Sequence, residues 1–209
     1  KTDELAYVNT PKTCAYFAER MRGIGVKPVI VSWTVPFTRM FEAFMEMNLI
    51  DQPAYLLFAL SDSGYLGGHP GNIKGLMAHL EFLPQGFKYE WSVNNKVGNL
   101  YGPAALALEM GGHVAIGLGD YPYPELGAPT NAQLVERVAQ MAEAFGREPA
   151  TPAEARAMLE EGFALNLDLL FPQHTEATRA LRRGTWLEKA ERLFAYLGEE
   201  LGLSNLGEV

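Results

Sequence analysis

Five short apolar runs alternate along the chain with segments whose apolar residues recur at helical spacing. The runs are apolar at consecutive positions, which is typical of parallel strands with helices packed over the sheet. Each begins about 22 to 34 residues after the previous one, the period of a repeating βα unit. They comprise residues 5–9, 27–32, 54–60, 88–93 and 113–118. The pattern predicts an α/β fold with a mostly parallel sheet.

The intervening segments carry helix start signals. Thr10 followed by Pro11 has the pattern of an N-cap residue with proline at the first helical position. Thr130 precedes a long stretch of apolar residues at helical spacing that ends at Gly146. Thr151 with Glu154 has the pattern of a capping box. Helices are therefore expected to begin after each of these threonines.

This periodicity leaves two architectures open, an open doubly wound sheet and part of an eight-stranded barrel. Both bind ligands at the carboxyl ends of their strands, so the segments that follow the runs are the candidate site. Small polar residues are frequent there, and we predict that a cup for a small polar substrate includes Asn9, Thr34, Ser92 and Asn95. Ordinary turn chemistry is the alternative explanation, because Ser, Asn and Asp are common turn formers.

Asp120 is the candidate catalytic residue. It follows the last apolar run, and a carboxylate at a strand end can act as a base or anchor a substrate. It can equally be a turn former. Its charge repels a substrate carboxylate unless Lys96 or a backbone amide offsets it. We therefore expect neutral or hydroxyl-bearing ligand groups beside Asp120.

The four histidines do not pair at the spacing of a metal site. They are His69, His79, His113 and His174. Zinc needs three or four nitrogen, oxygen or sulfur donors, and the sequence offers no such set. We predict that no metal is bound within this chain.

Composition limits the expected cell compartment and the expected class of binding partner. The net charge of −8 disfavours binding to nucleic-acid backbones. The single cysteine, Cys14, excludes an intrachain disulfide and fits a reducing cytoplasm. The longest apolar stretch is too short for a membrane helix, which needs about 20 residues. The sequence predicts a cytoplasmic protein whose partners are small molecules.

Several motifs, in order and at their spacing, resemble one family. Residues 111–120 read GGHVAIGLGD, residues 130–137 read TNAQLVER, and residues 146–156 read GREPATPAEAR. Upstream, residues 7–11 read YVNTP and residues 91–93 read WSV. Together they resemble the carboxyl-terminal part of β-keto acid cleavage enzymes, the family of 3-keto-5-aminohexanoate cleavage enzyme.

The resemblance implies a fold and a reaction. The family is a (β/α)8 TIM barrel, so the five runs would be its fourth to eighth strands. Residues 1–159 would form the partial barrel, and residues 160–209 a helical extension packed on the same domain. Family members cleave a β-keto acid with acetyl-CoA to give acetoacetate and an acyl-CoA, using a divalent metal, typically zinc. They usually assemble as oligomers, so a homo-oligomer is expected, with residues 163–171 as a candidate contact surface.

The chain departs from the family pattern at positions to which the resemblance assigns metal-binding or catalytic roles. The resemblance implies a glutamate metal ligand where this chain has Gly119 and a catalytic arginine where it has Ala115. A supporting glutamate is missing from residues 29–32, which read VIVS. Asp120 remains. Two hypotheses follow: altered activity on a small acid or acyl-CoA, or a non-catalytic binding or regulatory subunit. Either uses a keto acid or an acyl-CoA as ligand.

Overall fold

The computed structural model describes residues 8–62 and 67–159. Helices and strands alternate through them, as the apolar runs predict. The elements are α1 Pro11–Gly23, β1 Val29–Ser32, α2 Val35–Glu46, β2 Ala54–Ser61, α3 Ile73–Leu80, β3 Tyr89–Lys96, α4 Tyr101–Glu109, β4 His113–Val114, α5 Asn131–Ala144 and α6 Pro152–Met158, with a 3-10 turn at Pro124–Leu126.

The described strands form one parallel sheet in the order β1-β2-β3-β4. Val29 lies beside Tyr55, Ala54 beside Tyr89, and Ser92 beside His113. A helix connects each strand to the next, which parallel pairing requires because the chain must return to the starting edge. The predicted α/β fold with a parallel sheet is therefore confirmed.

The core lies on one face of this sheet. Alternate side chains of β2 and β3 point toward it and pack against α2, α3 and α4. We call this side the core face; its strand residues are Leu56, Phe58, Leu60, Trp91, Val93 and Asn95. The other side is the open face, formed by Val29, Val31, Glu90, Ser92, Asn94 and Lys96.

The helix starts predicted from capping patterns are confirmed. Thr10 accepts a hydrogen bond from the amide of Thr13 at 3.1 Å. Thr130 and Thr151 each form a complete capping box. These caps satisfy amide groups that have no partner inside the helix.

Three predicted strand ranges differ from the structure by more than two residues. The run 88–93 continues as β3 to Lys96. Of residues 5–9, only Val8 and Asn9 lie among the described residues, and they are not in a strand. The strand expected over residues 113–118 is limited to His113–Val114. The amide of Ala115 still donates to the carbonyl of Val93 at 3.0 Å, but the chain then leaves the sheet through two glycines.

The predicted helical extension, residues 160–209, and the candidate contact surface at 163–171 lie outside the described residues. None of the helices within residues 8–62 and 67–159 combines the length and the apolar character that a membrane span requires.

Candidate functional site

The carboxyl end of β3 carries a group of polar side chains on the open face. Asn94 and Lys96 are two positions apart, so both point to the same side of the strand. The Asn94 amide donates to Asp120 Oδ2 at 3.1 Å, and Lys96 Nζ forms an ion pair with Asp120 Oδ1. The side chains of Lys96 and Asp120 are 37% and 22% exposed. The carboxylate is therefore fixed in position while a small molecule can still reach it.

The backbone reinforces this contact. The amide of Val97 donates to the carbonyl of Asp120 at 2.9 Å, joining the end of β3 to the loop after β4. Val97 adopts φ +59°, which is unusual for a β-branched residue and costs about 1–3 kcal/mol. A conformation of this kind persists only where the surrounding contacts hold it, and such positions are frequent at functional sites.

Two buried polar atoms in this group have no hydrogen-bond partner among the described residues. They are Ser92 Oγ and Asn94 Oδ1. Both residues belong to the open face, in line with Lys96 along β3. A buried polar group without a partner is costly, so these atoms make the interior beneath Lys96 and Asp120 unusually polar. The predicted substrate contact of Ser92 remains a prediction.

Asn95, expected beside Asp120, lies on the core face instead. Its amide donates to Asp62 Oδ2 at 3.2 Å and to the carbonyl of Asn99 at 3.1 Å. Asp62 Oδ1 in turn accepts from the amide of Gly71 at 2.9 Å. Asn95 thus ties together the loops that follow β2 and β3, and its neighbour Asn94 is the residue that contacts Asp120.

The other two predicted substrate contacts, Asn9 and Thr34, are not part of the group around Asp120, although Thr34 follows the carboxyl end of β1. Thr34 is the N-cap residue of α2, and its carbonyl accepts from Ser32 Oγ at 3.1 Å. Asn9 directly precedes the N-cap of α1. Neither side chain hydrogen-bonds to Asp120 in the described part of the chain. Their substrate contacts remain predictions.

A second group of polar side chains forms a series of hydrogen bonds on the core face of the sheet. Ser32 Oγ lies 2.9 Å from Thr38 Oγ1, which lies 2.9 Å from His79 Nδ1. The ring of His79 stacks on Phe58 with centroids 4.7 Å apart. Burial, and secondarily the neighbouring His69, lowers the pKa of His79 to about 3.

Aromatic side chains stand next to the Asp120 loop. The ring of Tyr123 lies 5.7 Å from that of Tyr101 on α4 and 5.0 Å from that of Tyr121. Burial, more than any other cause, raises the pKa of Tyr123 to about 12. The protonated ring packs against α4 and gives the loop a fixed apolar support. Sequence patterns missed this cluster because its residues lie outside any periodic segment.

The described residues do not supply a donor set for zinc. The resemblance expects a glutamate ligand at position 119, where Gly119 has no side chain and a Cβ would meet open space. His113 Nε2 pairs instead with Glu90 Oε2 at 2.9 Å, near the beginning of β3. No three His, Cys, Asp or Glu side chains cluster as metal ligands within the described ranges. We therefore derive no catalytic step through a metal.

These features define an α/β protein with a polar site at the carboxyl ends of parallel strands, the usual ligand position in such sheets. Comparison with known families identifies the family within this class. The model of the beta-keto acid cleavage enzyme family matches residues 1–160. The chain belongs to this family, as its motifs predict.

Individual relatives support the same family assignment. The 3-keto-5-aminohexanoate cleavage enzyme of Fusobacterium nucleatum is 33% identical over 159 residues, covering 75% of this chain and 56% of that protein. The enzyme of the same name from Acetoanaerobium sticklandii is 31% identical, with the same coverage. A 3-dehydrocarnitine:acetyl-CoA trimethylamine transferase of Rhizobium meliloti is 29% identical, covering 75% of this chain and 51% of that protein. The chain spans about half the length of these curated relatives.

Proposed function

We propose that the protein acts on a small β-keto acid or an acyl-CoA at the carboxyl ends of its strands, with altered chemistry relative to its family. The four described strands would belong to a (β/α)8 barrel whose open face lines the interior. The observation that carries the proposal is Asp120, fixed by Lys96 and Asn94 beside two buried unpartnered polar atoms. The names of the relatives, which include acetyl-CoA transferases, support the substrate class.

In this proposal Asp120 accepts a proton from the substrate. A general base must lie within hydrogen-bond reach of the proton it removes, and Asp120 is partly exposed on the side where a substrate would bind. Lys96 offsets the negative charge of Asp120. The pair is therefore close to neutral overall, and a substrate carboxylate beside it is not repelled as strongly as by Asp120 alone.

Calorimetry and turnover assays of the intact protein test this proposal. Acetoacetate and acetyl-CoA are the probes, and Asp120→Asn is the variant. We expect Asp120→Asn to lower turnover by about tenfold or more, since an amide cannot take up the substrate proton as a carboxylate base does. Asp51→Asn is the control, because Asp51 pairs with Arg22 on the surface.

Each outcome has a clear meaning. Unchanged binding and turnover in Asp120→Asn would reduce Asp120 to a turn residue. Binding without turnover in the wild type would favour the non-catalytic binding subunit. The absence of binding to either probe would overturn the proposal. Metal analysis of the same preparations tests the ligand assignment, which stoichiometric zinc would contradict.

A further inference from the structure

Lys96 is a fixed but accessible amine at the candidate site. It is the last residue of β3, and its ammonium group is paired with Asp120 Oδ1 while Asn94 holds Oδ2. More than a third of its side chain is exposed. The direction of the amine is thus set by the protein, and a small molecule on the open face can still reach Nζ.

The site also needs an electron acceptor. Cleavage of a bond next to a keto group leaves an electron pair that must be stabilised, whether by a metal, a cation or a covalent iminium. Gly119 and Ala115 provide neither a ligand nor a cation at the positions that the family resemblance assigns to them. Lys96 is the cationic residue that contacts Asp120. Amines of lysine form Schiff bases with carbonyl substrates, which converts the carbonyl into a stronger electron acceptor.

We propose that Lys96 forms an iminium with the keto carbon of a β-keto acid and thereby promotes decarboxylation of that acid. This inference rests on the proposed function, because it requires a β-keto acid beside Asp120. It assigns Lys96 a covalent role and names the reaction.

The proposed sequence is balanced without a further reactant. Nζ passes a proton to Asp120 and adds to the keto carbon, and the keto oxygen leaves as water to form the C=N bond. The bond between the α-carbon and the carboxyl carbon then breaks, and its electrons move toward the nitrogen. Carbon dioxide leaves an enamine, whose α-carbon takes up a proton from solvent, the one proton that decarboxylation of the carboxylate consumes. Water then adds to the C=N bond and releases a ketone and the Lys96 ammonium group, which pairs again with Asp120.

The neighbouring polar atoms fit these steps. Ser92 Oγ and Asn94 Oδ1 are buried without a partner on the face from which Lys96 projects. Because neither atom is accessible to solvent, they contribute to the polar environment beneath Nζ rather than to direct contacts with the substrate.

Borohydride trapping tests the covalent step. The intact protein is incubated with acetoacetate, reduced with sodium borohydride and digested for peptide mass spectrometry. We expect a reduced adduct on Lys96 in the wild type and its loss in Lys96→Arg, which keeps the charge beside Asp120. Lys88→Arg is the matched control: Lys88 is exposed, just before the opposite end of β3. The labelled keto oxygen of acetoacetate should exchange with water faster in the wild type and in Lys88→Arg than in Lys96→Arg.

Acetoacetate binding, measured by calorimetry in the same proteins, separates the two proposals. Binding without an adduct on Lys96 would overturn the iminium and leave the proposed function standing. An adduct of equal yield in Lys96→Arg would also overturn it. Absence of binding would overturn the proposed function and, with it, this inference.

Discussion

Asp120 is held by contacts of different kinds, and each depends on the local geometry of β3. An amide and an ammonium group bind its two carboxylate oxygens, and the Val97 amide binds its carbonyl. Because Asn94, Lys96 and Val97 belong to one short segment, a shift of that segment changes all three contacts together. The site is therefore only as rigid as the turn that follows β3.

Glycine at position 98 is required by that turn. A Cβ there would collide with the Asp62 carboxylate and the Asn95 amide. We expect Gly98→Ala to lower the free energy of unfolding by about 1–3 kcal/mol, the usual cost of overpacking. Gly102→Ala is the control, since a Cβ at this position in α4 meets no atom within 4 Å. It should leave stability unchanged or raise it by up to about 1 kcal/mol.

Urea denaturation at neutral pH measures both variants. Equal stability of Gly98→Ala and Gly102→Ala would show that the loop moves aside to accept the new methyl group. The contacts of Asn95 with Asp62 would then contribute little to holding the turn.

The residue types in the sequence predicted part of the candidate site. Which of these residues face Asp120 depends on the directions of their side chains along β3. Ser, Asn and Asp after the strands predicted a polar site at the strand ends, and Asn94 contacts Asp120 there. The prediction nevertheless placed Asn95 beside Asp120, where the structure has Asn94. Neighbouring residues in a strand point to opposite faces, so an error of one position reverses the side. The side chains of Tyr89, Trp91 and Val93, which pack in or against the core, determine which face each residue of β3 occupies.

At the scale of elements, buried hydrogen bonds connect β1, α2 and α3. Ser32, Thr38 and His79 each belong to one of these elements. Helical and strand periods predicted the elements well, because burial of apolar faces gives a strong repeated signal. They did not predict where β4 ends, since that depends on the strand beside it. Nor could these periods reveal the series of buried hydrogen bonds, because it links residues that are far apart in sequence.

The lowered pKa of His79 makes folding stability depend on pH. The folded pKa is about 3, below the ordinary value of 6.5, because burial disfavours the charged ring. Between these values the unfolded chain binds a proton that the folded chain does not. The stabilisation is complete above pH 6.5 and is lost as the pH falls toward 3, by roughly 1 kcal/mol per pH unit.

Denaturant unfolding at pH 7 and pH 5 measures this dependence. We expect His79→Asn to be less stable than the wild type at pH 7, because it loses the stacking on Phe58. Its stability should decline less steeply between the two pH values. An unchanged slope in His79→Asn would contradict the assignment.

For the whole molecule, the described sheet leaves surfaces that other groups must cover. Within residues 8–62 and 67–159, β1 has a strand partner on one side only. Its open-face residues Val29 and Val31 are 40% and 42% exposed. An unpaired edge with exposed apolar residues favours association with further strands. The strands that pair with this edge can come from elsewhere in the intact protein or from a second copy of it. We predict a second copy, and therefore an oligomer of the intact protein.

Light scattering of the intact protein across a range of concentrations tests this prediction. We expect a molar mass that is a constant multiple of the monomer. Val31→Lys places a charge on the open face and should reduce either the mass or the thermal midpoint, because burial of an unpaired charge is costly. Val135→Lys is the control, since Val135 is 55% exposed on α5. A monomer whose mass and thermal midpoint are unaffected by Val31→Lys would show that this face and edge are simply solvated.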